Sequence, residues 1–186
     1  MPRASRFMWI LRPIRLRHCA SLRQFVFRIL AQQFAVKIIA ALLIVSLAAE
    51  ADGSEAIVAD PLIAIVVYVF FAPIFETLLF QTFPIELSRR FNRPLIFQFF
   101  AGMIPFAAVH FLGGLASGIA AGVVGGIFFC YTYLECRSTS WWKSTWVTTL
   151  IHGLHSVIVL PVCLSWALIR DRAWVGPSRA HSWGQR

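Results

Sequence analysis

Five apolar runs fill most of this chain, at residues 29–49, 61–83, 94–112, 115–134 and 145–169. A helix needs about 20 apolar residues to cross a bilayer, and each run is near that length. The second is the most demanding, because from Pro61 to Phe83 its only charged side chain is Glu76. The composition agrees: 59% of residues are hydrophobic and 13% charged, where soluble domains hold about 45–50% and 25%. The expected fold class is therefore all-α, a polytopic membrane helix bundle of about five transmembrane helices. The first run is the weakest, since Lys37 and two glutamines interrupt it; Lys37 can snorkel towards an interface.

The length fits one domain. It reads as a basic cytoplasmic N-terminal segment (1–28), a bundle (29–169) and a polar tail (170–186). The net charge of +9 lies outside the apolar runs, so it sets membrane orientation and does not signal nucleic-acid binding. Cys19, Cys130, Cys136 and Cys163 lie in or beside apolar segments with no paired spacing. They read as small hydrophobes, without a disulfide framework or a CxxC metal site.

Lysine and arginine asymmetry gives the expected topology in the cell membrane. Residues 1–37 carry eight of them, whereas the loop 50–60 carries only Glu50, Asp52, Glu55 and Asp60. Arg89, Arg90 and Arg93 follow the second run; Arg137 and Lys143 follow the fourth. A cytoplasmic N-terminus puts all thirteen inside. Arg170, Arg172, Arg179 and Arg186 then fall outside, a conflict that a break or re-entry of the last helix at Pro161 would remove. Residues 38–49 followed by Ala49-Glu50-Ala51 resemble a signal-peptide core and cleavage site, but the preceding basic region is far too long for one.

In the fourth run, GLASGIAAGVVGG spaces Gly114, Gly118, Gly122 and Gly126 four apart. Their common face is expected to let another backbone approach closely. It is a packing device and does no chemistry.

Ionisable groups at membrane depth are costly and by default functional. Glu76 has Thr77 beside it and Gln81 one turn beyond Thr77. His110 stands near the end of the third run with Phe106 one turn earlier, and His152 has His155 and Ser156 on the following turn. Glu76 is 17 residues before Arg93 and His110 is 17 after it. An antiparallel hairpin about that basic turn would hold both at one depth, because each residue rises about 1.5 Å. A second hairpin near 136–144 returns His152 to the same level.

One carboxylate and two imidazoles suit two hydrolytic chemistries. Glu76 can take a proton from water oriented by His110, while His152 and a polar group one turn later support an oxyanion. Alternatively Glu76, His110 and His152 make a catalytic site for a divalent metal such as zinc, with one position open to water. Interhelical hydrogen bonding alone would account for a lone histidine. His155 reads as structural or as a local partner of the site; Phe106 and the tryptophans Trp141, Trp142 and Trp146 read as packing and interfacial anchors.

With these residues the chain resembles the CPBP family of CAAX proteases and bacteriocin-processing enzymes, also called Abi, which are intramembrane endopeptidases. The family pattern EExxxR, FxxxH, HxxxN corresponds to ETLLFQ (Glu76 to Gln81), FAAVH (Phe106 to His110) and HGLHS (His152 to Ser156). YLECRSTSWWKSTWVTTLIHGLH also resembles the family's approach to its last motif, and the likeness covers roughly 61–160. It implies catalytic roles for Glu76, His110, His152 and Ser156, with Thr77, Gln81, Phe106 and His155 in support. Membrane lipid and a membrane-associated peptide or protein substrate are the implied partners. Thr77 replaces the second glutamate, Gln81 the arginine and Ser156 the asparagine. The first two changes remove one negative and one positive charge together, so neither charge is stranded.

The favoured reading is an intramembrane endopeptidase. A catalytically dead scaffold or immunity-type protein with the same fold is the second, favoured by Ser156 and by the missing glutamate. A proton-coupled or ion-conducting bundle would need polar residues continuing to both surfaces, and the first and fourth runs offer few.

Overall fold

The computed structural model describes residues 21–46, 61–138 and 140–174, and among these every regular element is helical. The helices are α1 (Leu22–Ser46), α2 (residues 61–90), α3 (Leu95–Phe111), α4 (Leu115–Cys136) and α5 (Trp141–Trp174). Leu22–Leu43, Val66–Arg90 and Leu115–Cys136 are each long and apolar enough to cross a membrane, and α3 is a shorter apolar helix. The protein is an all-α membrane bundle. The basic residues 1–20, the acidic stretch 50–60, the Ala49-Glu50-Ala51 site and the end of the tail (175–186) lie outside the described residues.

Expectations change at Pro161 and Lys37. No break or re-entry occurs at Pro161, because α5 runs helical through it to Trp174. Membrane helices absorb a proline when neighbours re-satisfy the freed backbone. Lys37 does not snorkel: its Nζ lies 2.7 Å from His155 Nε2 on α5. Its long stem turns inward from the stripe that α1 buries, where Phe25, Ile29 and Gln33 succeed one another at intervals of four and are fully covered.

The α2–α3 turn follows its sequence. Asn92 adopts φ 52°, a left-handed conformation that asparagine tolerates better than most residues. Pro94 is extended and opens α3. The amide of Arg93 donates to the Ser88 carbonyl at 3.0 Å, closing the turn.

Helix α2 is not uniformly α-helical. Val66–Phe71 and Thr77–Thr82 bond in the wider i→i+5 pattern on either side of Ala72–Glu76. Single wide turns of this kind concentrate at functional sites. Prolines contribute: Pro73 cannot donate to the carbonyl of Val69, nor Pro84 to that of Phe80. Each carbonyl faces a glycine on a partner helix, Val69 against Gly153 of α5 and Phe80 against Gly102 of α3. A β-carbon there would stand 3.2 Å and 3.0 Å from the oxygen, so glycine is what lets these helices close on α2.

Helix α4 is the centre, with 56% of its spanning window buried against 17% in α1 and 22% in α2. Its glycines make this possible. A β-carbon at Gly118 would overlap the Phe111 ring. At Gly122 it would lie 2.9 Å from the His110 β-carbon and 3.0 Å from the Ala107 backbone, and at Gly126 3.2 Å from Phe106. Gly114 is the exception to the expected four-glycine face. It sits in the α3–α4 turn with φ 96°, where its lack of a β-carbon serves the turn instead of the packing.

The apolar core joins Phe25 and Ile29 of α1, Phe106 of α3, Val124, Phe128 and Phe129 of α4, and Val147 and Ile151 of α5. Polar contacts tie α2 to its neighbours nearer the basic end. Thr82 and Thr145 hydroxyls meet at 3.0 Å, and Arg137 grips both carboxylate oxygens of Glu86, one through Nε and the other through Nη2 at 2.8 Å. The Glu86 hydrogen bond holds the guanidinium of Arg137 above its ordinary pKa. Trp141, Trp142 and Trp146 are half exposed and pair edge to face, as suits an aromatic belt at a membrane interface.

Candidate active site

Glu76, His110 and His152 come from three helices and meet. Glu76 Oε2 lies 3.9 Å from His110 Nε2 and 3.6 Å from His152 Nε2. That oxygen is buried and has no hydrogen-bond partner in the protein. The equal spacing about Arg93 accounts for the first meeting, and close packing of α5 at Gly153 for the second.

The His110 tautomer follows from its surroundings. Its Nδ1 stands 2.9 Å from the Phe106 carbonyl oxygen. A carbonyl only accepts, so Nδ1 carries the proton and donates, which leaves Nε2 of the neutral ring an acceptor aimed towards Glu76. Two acceptors 3.9 Å apart do not bond to one another, but one water molecule can touch both.

Aromatic rings fix the imidazoles. Phe106 is fully buried, with its ring 4.4 Å from His110 and 5.9 Å, edge-on, from His152. Phe129 of α4 stacks on His152 at 4.3 Å and 27°. Sequence reasoning singled out Phe106 and missed Phe129, which carries no mark among the phenylalanines of these helices.

The remaining expected residues are placed differently. The Ser156 hydroxyl donates to the His152 carbonyl at 3.1 Å, within its own helix, and so does not join the trio. Thr77 and Gln81 are fully buried, and Thr77 Oγ1 and both Gln81 amide atoms lack protein partners. They form a polar face of α2 below Glu76. His155 is bonded to Lys37 and packed on Phe34 of α1 at 5.1 Å.

The metal alternative gains no support from the structure. Zinc would need each donor about 2.0–2.2 Å from a common point, and among the described residues no three histidine, cysteine, aspartate or glutamate side chains are arranged to hold a metal ion.

A family model, that of the type II CAAX prenyl endopeptidase Rce1-like proteins, matches residues 58–158, more than half of the 186-residue chain. The chain belongs to the Rce1-like family. The match takes in Glu76, His110, His152 and Ser156, and leaves α1 outside. Membership of this Rce1-like protease family agrees with the CPBP resemblance and with a membrane bundle. No curated protein and no solved structure matches the chain.

Proposed function

We propose that this chain is an intramembrane endopeptidase that hydrolyses a peptide bond with water activated by Glu76. The observation that carries the reading is the shared oxygen: two imidazoles from different helices face Glu76 Oε2 at 3.9 Å and 3.6 Å. A carboxylate oxygen enclosed in this way, with no protein hydrogen-bond partner, is free to accept a proton from water, as a general base must.

In this reading water sits between Glu76 and His110. The Nε2 lone pair of His110 accepts one water hydrogen and Glu76 removes the other as oxygen adds to the scissile carbonyl carbon. His152, with its proton at Nε2, donates to the oxyanion of the tetrahedral intermediate. Glu76 then returns the proton to the amide nitrogen as the C–N bond breaks, which restores the carboxylate. Thr77 and Gln81 offer buried polar atoms along the adjoining face of α2.

The family description names CAAX prenyl endopeptidases, so a lipid-modified peptide C-terminus at the membrane is the first substrate class to assay. The lysine and arginine asymmetry supports a cytoplasmic N-terminus, with Arg89, Arg90 and Arg93 on that side. The test is cleavage of membrane-tethered reporter peptides, prenylated and unmodified, by full-length protein in lipid. Cleavage abolished by Glu76→Gln supports the reading. If the wild type cuts no member of a broad peptide library, the scaffold reading replaces it, with the engaged hydroxyl of Ser156 in its favour.

A further inference from the structure

Helix α1 lies outside the family-matched segment, yet it reaches the candidate site. Lys37 Nζ is 2.7 Å from His155 Nε2. An ammonium only donates, so Nε2 accepts and the neutral ring carries its proton on Nδ1. His155 follows His152 by three residues, on the same side of α5. The two rings are bridged by Phe129, which is 6.3 Å from His155 and stacks on His152 at 4.3 Å. Lys37, His155, Phe129 and His152 thus form a continuous path of contacts from α1 to the Glu76 carboxylate.

Charge gives the path a purpose. A lysine in a membrane span is costly unless it is paired or put to use. Glu76 brings a negative charge to this level of the bundle, where Gln81 and Thr77 on the same helix are neutral. Lys37 brings a cation to the cluster, 2.7 Å from His155 Nε2 and within electrostatic reach of His110 and His152. Gln33, one turn earlier on α1, is also fully buried, so α1 turns a polar face inward.

We propose that Lys37 is a positioning residue of the cleavage site: it fixes His155 in the Nδ1–H tautomer behind His152 and supplies the positive charge opposite the oxyanion. The inference rests on the protease reading given above. When water adds to a carbonyl, negative charge grows beside a cluster that already holds Glu76, and a fixed cation stabilises that charge more than the ground state. A lysine that only tied α1 to α5 would influence folding and leave the chemical step of the folded enzyme alone.

The experiment uses full-length protein in lipid vesicles, labelled with 15N at histidine, as wild type, Lys37→Met and Lys37→Arg. His155 is assigned by the signal lost in His155→Gln. The wild-type spectrum is expected to show His155 protonated at Nδ1 and accepting at Nε2, with that signature lost in Lys37→Met and kept in Lys37→Arg. On the reporter peptide, kcat of Lys37→Met should fall about 10–100-fold, the scale typical of lost outer-shell partners, with KM within about twofold; Lys37→Arg should recover most of it. A wild-type His155 protonated at Nε2 overturns the inference without any variant having to fold. Turnover lost in Glu76→Gln but unchanged in folded Lys37→Met overturns it while the protease reading stands. A wild type that cuts nothing overturns the protease reading, and the role of Lys37 with it.

Discussion

Glu76 and His152 face one another across 3.6 Å, from the middle of α2 and the first half of α5. Neither helix reaches this arrangement by propensity alone. Wide turns bracket Glu76, and Gly153 removes the side chain that would otherwise hold α5 away from the Val69 carbonyl. The contact is built from backbone irregularities on one side and a missing β-carbon on the other.

Glu76→Gln keeps the size and most of the polarity of this residue but removes the base. Cleavage of the reporter peptide is expected to fall about 10²–10⁴-fold. The melting temperature in detergent should hold or rise, because the variant no longer buries a charged oxygen, Glu76 Oε2, that lacks a protein hydrogen-bond partner. A variant that cleaves normally would remove Glu76 from the mechanism.

Chelation separates the two chemistries that the sequence left open. With no metal-holding group of side chains among the described residues, incubation with a strong chelator is expected to leave kcat unchanged. Activity lost to the chelator and regained with zinc would show that a metal organises the trio.

Ser156 is already committed to the His152 carbonyl. Ser156→Ala removes a local helix-backbone bond worth about 1 kcal/mol or less and is expected to lower turnover less than about threefold. Ser156→Asn, which restores the CPBP-family residue, should leave turnover equal or higher. A Ser156→Ala loss as deep as that of Glu76→Gln would mean that the hydroxyl turns into the site during the reaction.

The sequence made the bundle legible because lipid leaves the backbone few options, and run length alone then counts the helices. Glu76, His110 and His152 were legible for a related reason, since polar groups at membrane depth must find one another. The same rule applied to Lys37 would have pointed inward as well. Its long stem allowed a snorkelling reading, and no one-dimensional pattern reveals that His155 waits on another helix. Phe129 was invisible because stacking on His152 depends on helix rotation, which periodicity fixes poorly in a helix apolar on every side. Gly114 shared the spacing of its neighbours and differed only in backbone conformation.

The Glu86–Arg137 contact joins α2 to α4 near the basic end, and the Tyr133 hydroxyl also donates to Glu86 at 3.0 Å. Arg137→Met is expected to destabilise the protein by about 1–3 kcal/mol, the scale of hydrogen bonds to charged groups. A double-mutant cycle with Glu86→Gln in detergent melts checks the coupling. Strict additivity would mean that the pair contributes nothing jointly.

Two glycines on α4, Gly122 and Gly125, test how tightly packing governs the site. At Gly122 an added β-carbon would meet the His110 β-carbon at 2.9 Å and the Ala107 backbone at 3.0 Å, neither of which is the free end of a flexible side chain. At Gly125 it would meet the Phe129 and Phe106 rings at 3.4 Å and 3.5 Å, ordinary contact distances. Gly122→Ala must therefore push α3 away from α4, at an expected cost of about 1–3 kcal/mol, and carry His110 with it. Displacing a catalytic group by about 1 Å can cost about 10²-fold in rate, so its turnover should fall further than its stability. Gly125→Ala should retain both, with a melting temperature near that of the wild type. If the two variants behave alike in melts and in the peptide assay, the α3–α4 contact is not what holds His110 opposite Glu76.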